Sequence, residues 1–411
     1  MTSRIEDAYR ADAGRILGAV TAYTGDLQLA EDAVQDAFLR ALAQERSGAR
    51  IDNPAAWITT AARRIAIDHV RRAQTADRAL SALAFEARRA APPYPGEDDM
   101  AGFAFTGDER LELILMVCHP DIAEETQLAL ALRFVCGVPT RDVAAMLLVP
   151  EATMAARLTR AKKRLHDSPV RFAMDDVRQV RARLPVALAV IYLVYTAGYA
   201  APTREESTRL RGDAVDLARD ALRIAPGEPE ASGLLGLLLL TEARQATRVD
   251  PAGELVDLAT ADRIAWDEDL IAEGESLATR ALQAGTGRFA LQAGIAGLHD
   301  LAPRWDATDW TSIARLYDGL VAVWPAPSAR LARLVARGHS AAVGPGCARD
   351  ELDADDLFTG TLAAQAYAAR ADMSARTGDI AEAAADYRRA IDYETDAAAR
   401  RYLERKLTVL G

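Results

Sequence analysis

GVPTRDVAAMLLVPEATMAARLTRAKKRLHD, residues 137–167, divides into three parts. A short helix is expected from Thr140, a tight turn at Leu148-Val149-Pro150, and a longer helix from Glu151. On the longer helix Met154, Leu158, Ala161 and Leu165 share the inward face at helical spacing, while Thr153, Ala156, Arg157, Arg160, Lys163 and Arg164 fall opposite. Between Ala152 and His166 stand five Lys or Arg and no acid. That is helix-turn-helix geometry with a basic outer face. Arg can bond guanine edges bidentately, Lys or Arg can neutralise phosphates, and the small Ala156 permits close approach to a groove floor. The competing interpretation is a basic surface helix at a domain boundary.

Outward from this stretch, nearly every segment has helical composition: Ala, Leu, Arg and Glu dominate, and period-two runs of Val, Ile and Thr are lacking. An all-α fold is expected. With 411 residues, half of them hydrophobic, the chain exceeds what one core usually serves. The expected divisions are 1–75, a Pro-rich acidic linker over 76–109 that contains APPYPGEDDMAGFAFTGDE (91–109), a helix-turn-helix unit over 110–168, and a helical extension over 169–411. In the extension, Tyr367, Ala371, Gly378, Ala383, Tyr387, Ala390 and Ile391 sit at tetratricopeptide spacings. A second, partial match runs through Ala214, Ala218, Ala221, Leu222, Pro226 and Leu235-Gly236. Stacked helical hairpins follow.

Composition also excludes. The acidic early residues MTSRIEDAYRADAG lack the apolar core of a signal peptide. LPVALAVIYLVYTAGYAA, from Leu184, is broken by Pro185, Gly198 and three Tyr and reads as a buried helix of a soluble, cytoplasmic protein with no membrane partner. Cys118, Cys136 and Cys347 show no metal-ligand pairing and are expected to be core thiols; no metal and no cofactor is implied. A phosphate-binding Gly-rich loop, HExxH and GxSxG are lacking and the five His are dispersed, so the chain is not expected to be an enzyme. A net charge of -11 argues against nucleic acid as a whole-chain sum, but local stripes can differ.

Two N-terminal helices carry such stripes. In DLQLAEDAVQDAFLRAL (26–42), Asp26 is a plausible N-cap and Leu27, Ala30, Val34, Ala37, Phe38 and Ala41 form the core stripe. Asp32, Gln35, Asp36 and Leu39 are left outside, a docking face or an ordinary solvated one. In NPAAWITTAARRIAIDHVRR (53–72), Ala55, Ile58, Ala62, Ile65 and Ala66 form a seam, with His69 expected to pack beside it. Trp57, Arg64, Asp68, Arg71 and Arg72 lie opposite. A Trp in line with Arg suits a flat, negative partner, although Trp57 could also anchor the core.

Taken in order, LAEDAVQDAFLRAL, NPAAWITTAARRIAIDHVRR, the acidic linker and ATMAARLTRAKKRL resemble an extracytoplasmic-function sigma factor of bacterial RNA polymerase, of the sigma-70 family. LELILMVCHPDI, VIYLVYTAGY and DATDW (306–310) resemble the subgroup with a long tetratricopeptide-like extension. The resemblance implies that Asp32, Gln35, Asp36 and Leu39 dock on the clamp helices of the polymerase β′ subunit, with the β flap as a further contact. It implies that the loop ERSGARIDN (45–53), through Arg50, Asp52 and Asn53, holds a flipped base of the −10 element. Trp57 would then stack against separated strands, and Arg63, Arg64, Arg71 and Arg72 would meet phosphates. It assigns Thr153, Ala156, Arg157, Arg160, Lys163 and Arg164 to the −35 element. Glu97, Asp98 and Asp99 would mimic nucleic-acid charge near the active-site cleft, or merely solubilise a tether. The extension would regulate, through packing on both sigma domains near Arg171 to Tyr199 or through a regulatory protein or ligand. The rivals are a free-standing helix-turn-helix regulator and a tetratricopeptide scaffold.

Overall fold

The computed structural model describes residues 4–48, 51–83, 109–168, 176–201 and 203–410, which are helical apart from connecting loops and one isolated β-bridge between Val249 and Leu255. The chain forms two compact units, Met1–Ile224 and Ala225–Gly411.

The first unit begins with α1 (Arg4–Thr24), α2 (Leu27–Arg46) and α3 (Pro54–Leu83). Asp26 caps α2 by accepting from the amides of Gln28 and Leu29. Leu27, Ala30, Val34, Ala37 and Ala41 are buried, as the stripe requires, and Phe38 packs half-buried on the Tyr9 ring, centroids 4.4 Å apart. On α3, Ile58, Ala62, Ile65 and Ala66 are buried. His69 does not pack beside them; it is exposed. At 30 residues α3 is longer than α1 and α2, with 21 and 20.

Next come α4 (Glu109–Val117), α5 (Glu124–Leu130) with a π-helical turn at Ala131–Val135, α6 (Thr140–Met146) and α7 (Glu151–Asp167). They rest on α1 through two glycines. A Cβ on Gly14 would stand 1.6 Å from the Val135 carbonyl oxygen, and one on Gly18 2.7 Å from that of Glu109. Only glycine permits that approach.

The unit is completed by α8 (Val177–Ala197) and α9 (Arg204–Ile224), so its boundary falls well beyond residue 168. Leu184, Leu188, Ile191, Val194 and Tyr195 are buried, with α8 packed on α4, α5 and α9. By length and composition alone α8 could cross a bilayer, but half of its most apolar stretch is buried within the protein. Buried polar ties fasten the pair. Arg183 donates to the Leu115 and Met116 carbonyls at 3.0 and 3.2 Å, meeting carbonyls that the end of α4 leaves without helical partners. Arg110 pairs with Asp213 at 2.5 Å, and Arg209 donates to the Cys136 carbonyl at 2.6 Å.

The second unit contains α10 (Pro229–Ala243), α11 (Glu268–Ala284), α12 (Arg288–Leu301), α13 (Trp310–Val323), α14 (Pro327–His339), α15 (Gly344–Asp353), α16 (Ala363–Thr377), α17 (Ile380–Tyr393) and α18 (Ala397–Leu410), each packed on its sequence neighbours. The α16–α17 hairpin matches the repeat spacing: Ala371, Tyr387 and Ala390 share a core with Tyr367 and Ile391, and Gly378 turns between the helices at φ 92°. The second match behaves differently. Its first helix, α9, packs on α8 within the first unit, whereas α10 packs on α11 and α12 within the second, so the match spans the boundary between the units. Finally α18 returns to the loop after α10, where Glu254 pairs with Arg401 and Arg405 and Asp257 with Lys406.

Cys118 and Cys136 are buried, and burial pushes the Cys118 thiol up to about 12. Cys347 is not a core thiol; α15 turns Ala348 and Leu352 inward and leaves Cys347 exposed one position off that face.

Candidate nucleic-acid and polymerase interface

The boundaries of α6 and α7 fall where the turn signals put them. Met154, Leu158 and Ala161 are buried, while Leu165 is half-buried. Thr153, Ala156, Arg160, Lys163 and Arg164 are exposed on the opposite side. Arg157 is partly shielded, its guanidinium 3.5 Å from the Glu125 carboxylate. Arg160 folds back on the Ala156 carbonyl, Lys163 meets Asp167, and Arg164 donates to the Asp121 carbonyl. These contacts are at the surface, where a phosphate would compete well with them.

The tight turn before α7 falls at Leu148 as expected, but with a backbone that the sequence did not announce. Leu148 adopts φ 55° and is 93% exposed, while the Val149 amide closes back on the Ala144 carbonyl at 3.0 Å. That is a left-handed helix terminus, usually given to glycine. An apolar side chain in that strained, solvent-facing position lies at the mouth of the helix pair.

At the start of α3, Ile51 is buried, Asp52 and Asn53 are exposed, and Asn53 caps the helix by accepting from the Ala56 amide. Arg50 lies outside the described residues. Trp57 is half-buried, so it keeps one accessible side and is not a fully enclosed anchor. Arg63 is half-buried and Arg64 exposed; Arg71 and Arg72 continue the helix, but their side chains lie outside those described. Glu97, Asp98, Asp99 and Arg171 also lie outside the described residues.

On α2 the four expected docking residues are all exposed, Leu39 at 62%. One turn away, the same helix meets α7. Glu31 pairs with Lys162 at 2.5 Å and with Arg133 at 4.0 Å, and Asp26 with His166 at 2.8 Å. Lys162 was placed on neither face by spacing, since a Lys between two faces gives no sign of a partner 131 positions away. Among the described residues no group of three or more His, Cys, Asp or Glu is arranged to hold a metal ion.

Residues 8–76 match the family model for sigma-70 region 2 and residues 113–165 that for sigma-70 region 4, the segments that contain α2, most of α3 and the α6–α7 turn. The chain belongs to the sigma-70 family. It is an alternative sigma factor of the extracytoplasmic-function kind with a C-terminal extension. Residues 183–282 of this sigma factor match a family of unknown function, DUF6596, a segment that begins in α8 and ends in α11. An uncharacterized protein of Rhizobium meliloti is 37% identical over 324 residues, 78% of the chain and 76% of that relative. The extracytoplasmic-function sigma factor SigC of Mycobacterium tuberculosis is 29% identical over 145 residues, which are 35% of this chain and 72% of SigC. The probable sigma-C factor of Mycobacterium bovis aligns to the same extent. The sigma factor thus resembles SigC over part of its length and the Rhizobium protein over most of it.

Proposed function

We propose that this sigma factor brings core RNA polymerase to a two-part promoter and aids its opening, without catalysing a reaction, in the cytoplasm and independently of any membrane. In this reading Asp32, Gln35, Asp36 and Leu39 dock on the β′ clamp, and the helix-turn-helix region also meets the β flap. Asp52, Asn53, Trp57, Arg63 and Arg64, with Arg50, Arg71 and Arg72, hold the melted −10 strand. Thr153, Ala156, Arg157, Arg160, Lys163 and Arg164 enter the groove at −35. The observation that carries the reading is the exposed basic face of α7, acid-free from Ala152 to His166, behind a helix-turn-helix turn, in one unit with exposed Leu39 among Asp32, Gln35 and Asp36.

The extension regulates in this reading, through a protein or ligand on Ala225–Gly411. The test is run-off transcription with purified core polymerase on a promoter library, with co-purification of polymerase in parallel. Promoter-specific transcripts that depend on the sigma factor are expected. Duplex binding without polymerase would favour the free-standing regulator, and loss of all DNA affinity in the polymerase complex would favour the scaffold.

A further inference from the structure

The second unit holds a polar cluster that promoter binding leaves unused, gathered around the C-terminal end of α12. The Asp300 side chain is fully shielded, with Arg244 Nε 3.3 Å from one carboxylate oxygen. Among the described residues neither of its oxygens accepts a hydrogen bond. Arg263 donates through Nη1 to the His299 and Ala302 carbonyls at 2.5 and 2.8 Å and lies over the Trp266 ring, its Cζ 4.7 Å from the centroid. Among the described residues its buried Nη2 has no acceptor, and the buried Glu275 Oε1, Thr308 Oγ1 and His299 Nδ1 have no partners either. Beside them stand four half-buried rings. Trp305 and Trp310 lie 4.7 Å apart, His299 5.2 Å from Trp310, and His339 stacks on Trp310 at 4.4 Å. Burial drives Asp300 up to about 7 and His299 down to about 4.

Folded proteins seldom leave so many neighbouring polar atoms unanswered, because each costs about 1–3 kcal/mol when unpaired. Both signs of group meet here: the Asp300 carboxyl lies beside the Arg244 and Arg263 guanidiniums, Glu275 is close enough for its charge to raise Asp300 further, and His299 is neutral. An anion would meet the carboxyls and a cation the guanidiniums. Hydroxyls suit both, since they donate to carboxylates and accept from guanidinium, and a ring with an apolar face suits the half-buried Trp pair.

We propose that Arg244, Arg263, Glu275, Asp300, Trp305 and Trp310 form a binding site for a neutral, hydroxyl-rich ring of the monosaccharide class. The site deepens the regulatory part of the proposed function by naming a ligand class, and binding is read on the chain alone, so its failure is distinct from failure of the promoter reading.

The full-length chain is titrated with D-glucose, D-galactose, D-mannose and myo-inositol, followed by Trp fluorescence and calorimetry, beside Asp300→Asn and Glu275→Gln. Saturable binding of at least one probe is expected, weakened about 10-fold or more by each substitution. If circular dichroism shows that Asp300→Asn does not fold, Glu275→Gln and Trp310→Phe carry the comparison. The proposal is overturned if none of the four probes saturates, or if binding is equal in all variants. Choline or inorganic phosphate binding with the same dependence on these residues, in place of the sugars, overturns it as well.

Discussion

Lys162, on the helix proposed to enter the −35 groove, reaches Glu31, on the helix proposed to dock on polymerase, with both side chains only 14% exposed. Arg133 approaches the same carboxylate, and His166 with Asp26 makes a second pair along the seam. Glu31→Gln leaves two cations facing a neutral amide in a mostly shielded place. It is expected to lower stability by roughly 1–3 kcal/mol and to loosen α7 from α2. Thermal melting and the radius of gyration from solution scattering check this; an unchanged radius would mean that the glycine contacts of α1 hold the arrangement alone.

Arg160 is exposed mid-helix, whereas Arg157 is partly tied to Glu125. Arg160→Ala is expected to cost about 1–3 kcal/mol of promoter binding and to relax preference at one or two −35 positions. Arg157→Ala is expected to show the same pattern with a smaller loss, because freeing its guanidinium from Glu125 offsets part of the contact. Uniform weakening across all sequences would make both phosphate contacts. A binding-site selection on each variant reads the difference.

Asp36→Arg with Gln35→Ala changes two exposed positions and no core residue. Circular dichroism should therefore be unchanged while pull-down of core polymerase is lost, since a charge reversal on a docking face destroys complementarity. Capture of polymerase at wild-type strength would refute the docking assignment.

The polar ties between α4 and α8–α9 decide where the chain can be cut. A stop after residue 168 removes Arg183 and Asp213, leaving the α4 carbonyls without their donor and the buried Arg110 without its carboxylate. It also uncovers the apolar surface that Leu188 and Ile191 bury. That truncation is expected to melt lower and transcribe less, while a stop after Ile224 keeps the first unit whole. Equal melting of the two truncated chains would show that α8 and α9 contribute nothing to it.

Asp300 and His299 oppose each other in pH dependence. Burial raises Asp300 from 3.8 to about 7, so between those values the folded state holds the extra proton and stability falls as pH rises. Burial lowers His299 from 6.5 to about 4, so there the unfolded state holds the extra proton and stability rises with pH. The two slopes offset between about pH 4 and 6.5. Asp300→Asn is expected to expose the histidine slope, with a melting temperature that climbs over that range more steeply than in the wild type; parallel profiles would contradict the assignment.

The helix-turn-helix was legible because Pro150 and the acid-free run from Ala152 mark one helix start and one face. The α16–α17 hairpin was legible through Gly378, whose φ of 92° is what its position after the periodic residues asks for. The attachment of α8 and α9 was not legible, because Arg183, Arg209 and Asp213 look in sequence like solvated charges, while the partners that fasten these helices stand 68, 73 and 103 positions away. His69 misled for a related reason: helical phase says which side a residue faces, and only tertiary structure says whether anything is there. The turn at Leu148 was legible from Pro150, but its left-handed backbone was not, since such a residue is ordinarily announced by Gly or Asn.

The return of α18 to Glu254 and Asp257 bears on how the second unit comes apart. An open array of helical hairpins frays from its ends, each step losing only one neighbour. Here the final helix is fastened to the loop after α10 through Arg401, Arg405 and Lys406, with the Tyr402 hydroxyl 2.6 Å from Asp257. Detaching the last hairpin therefore also strips the first loop, so unfolding should proceed as one concerted event in which amide exchange in α17 and in α10 shares a single opening free energy.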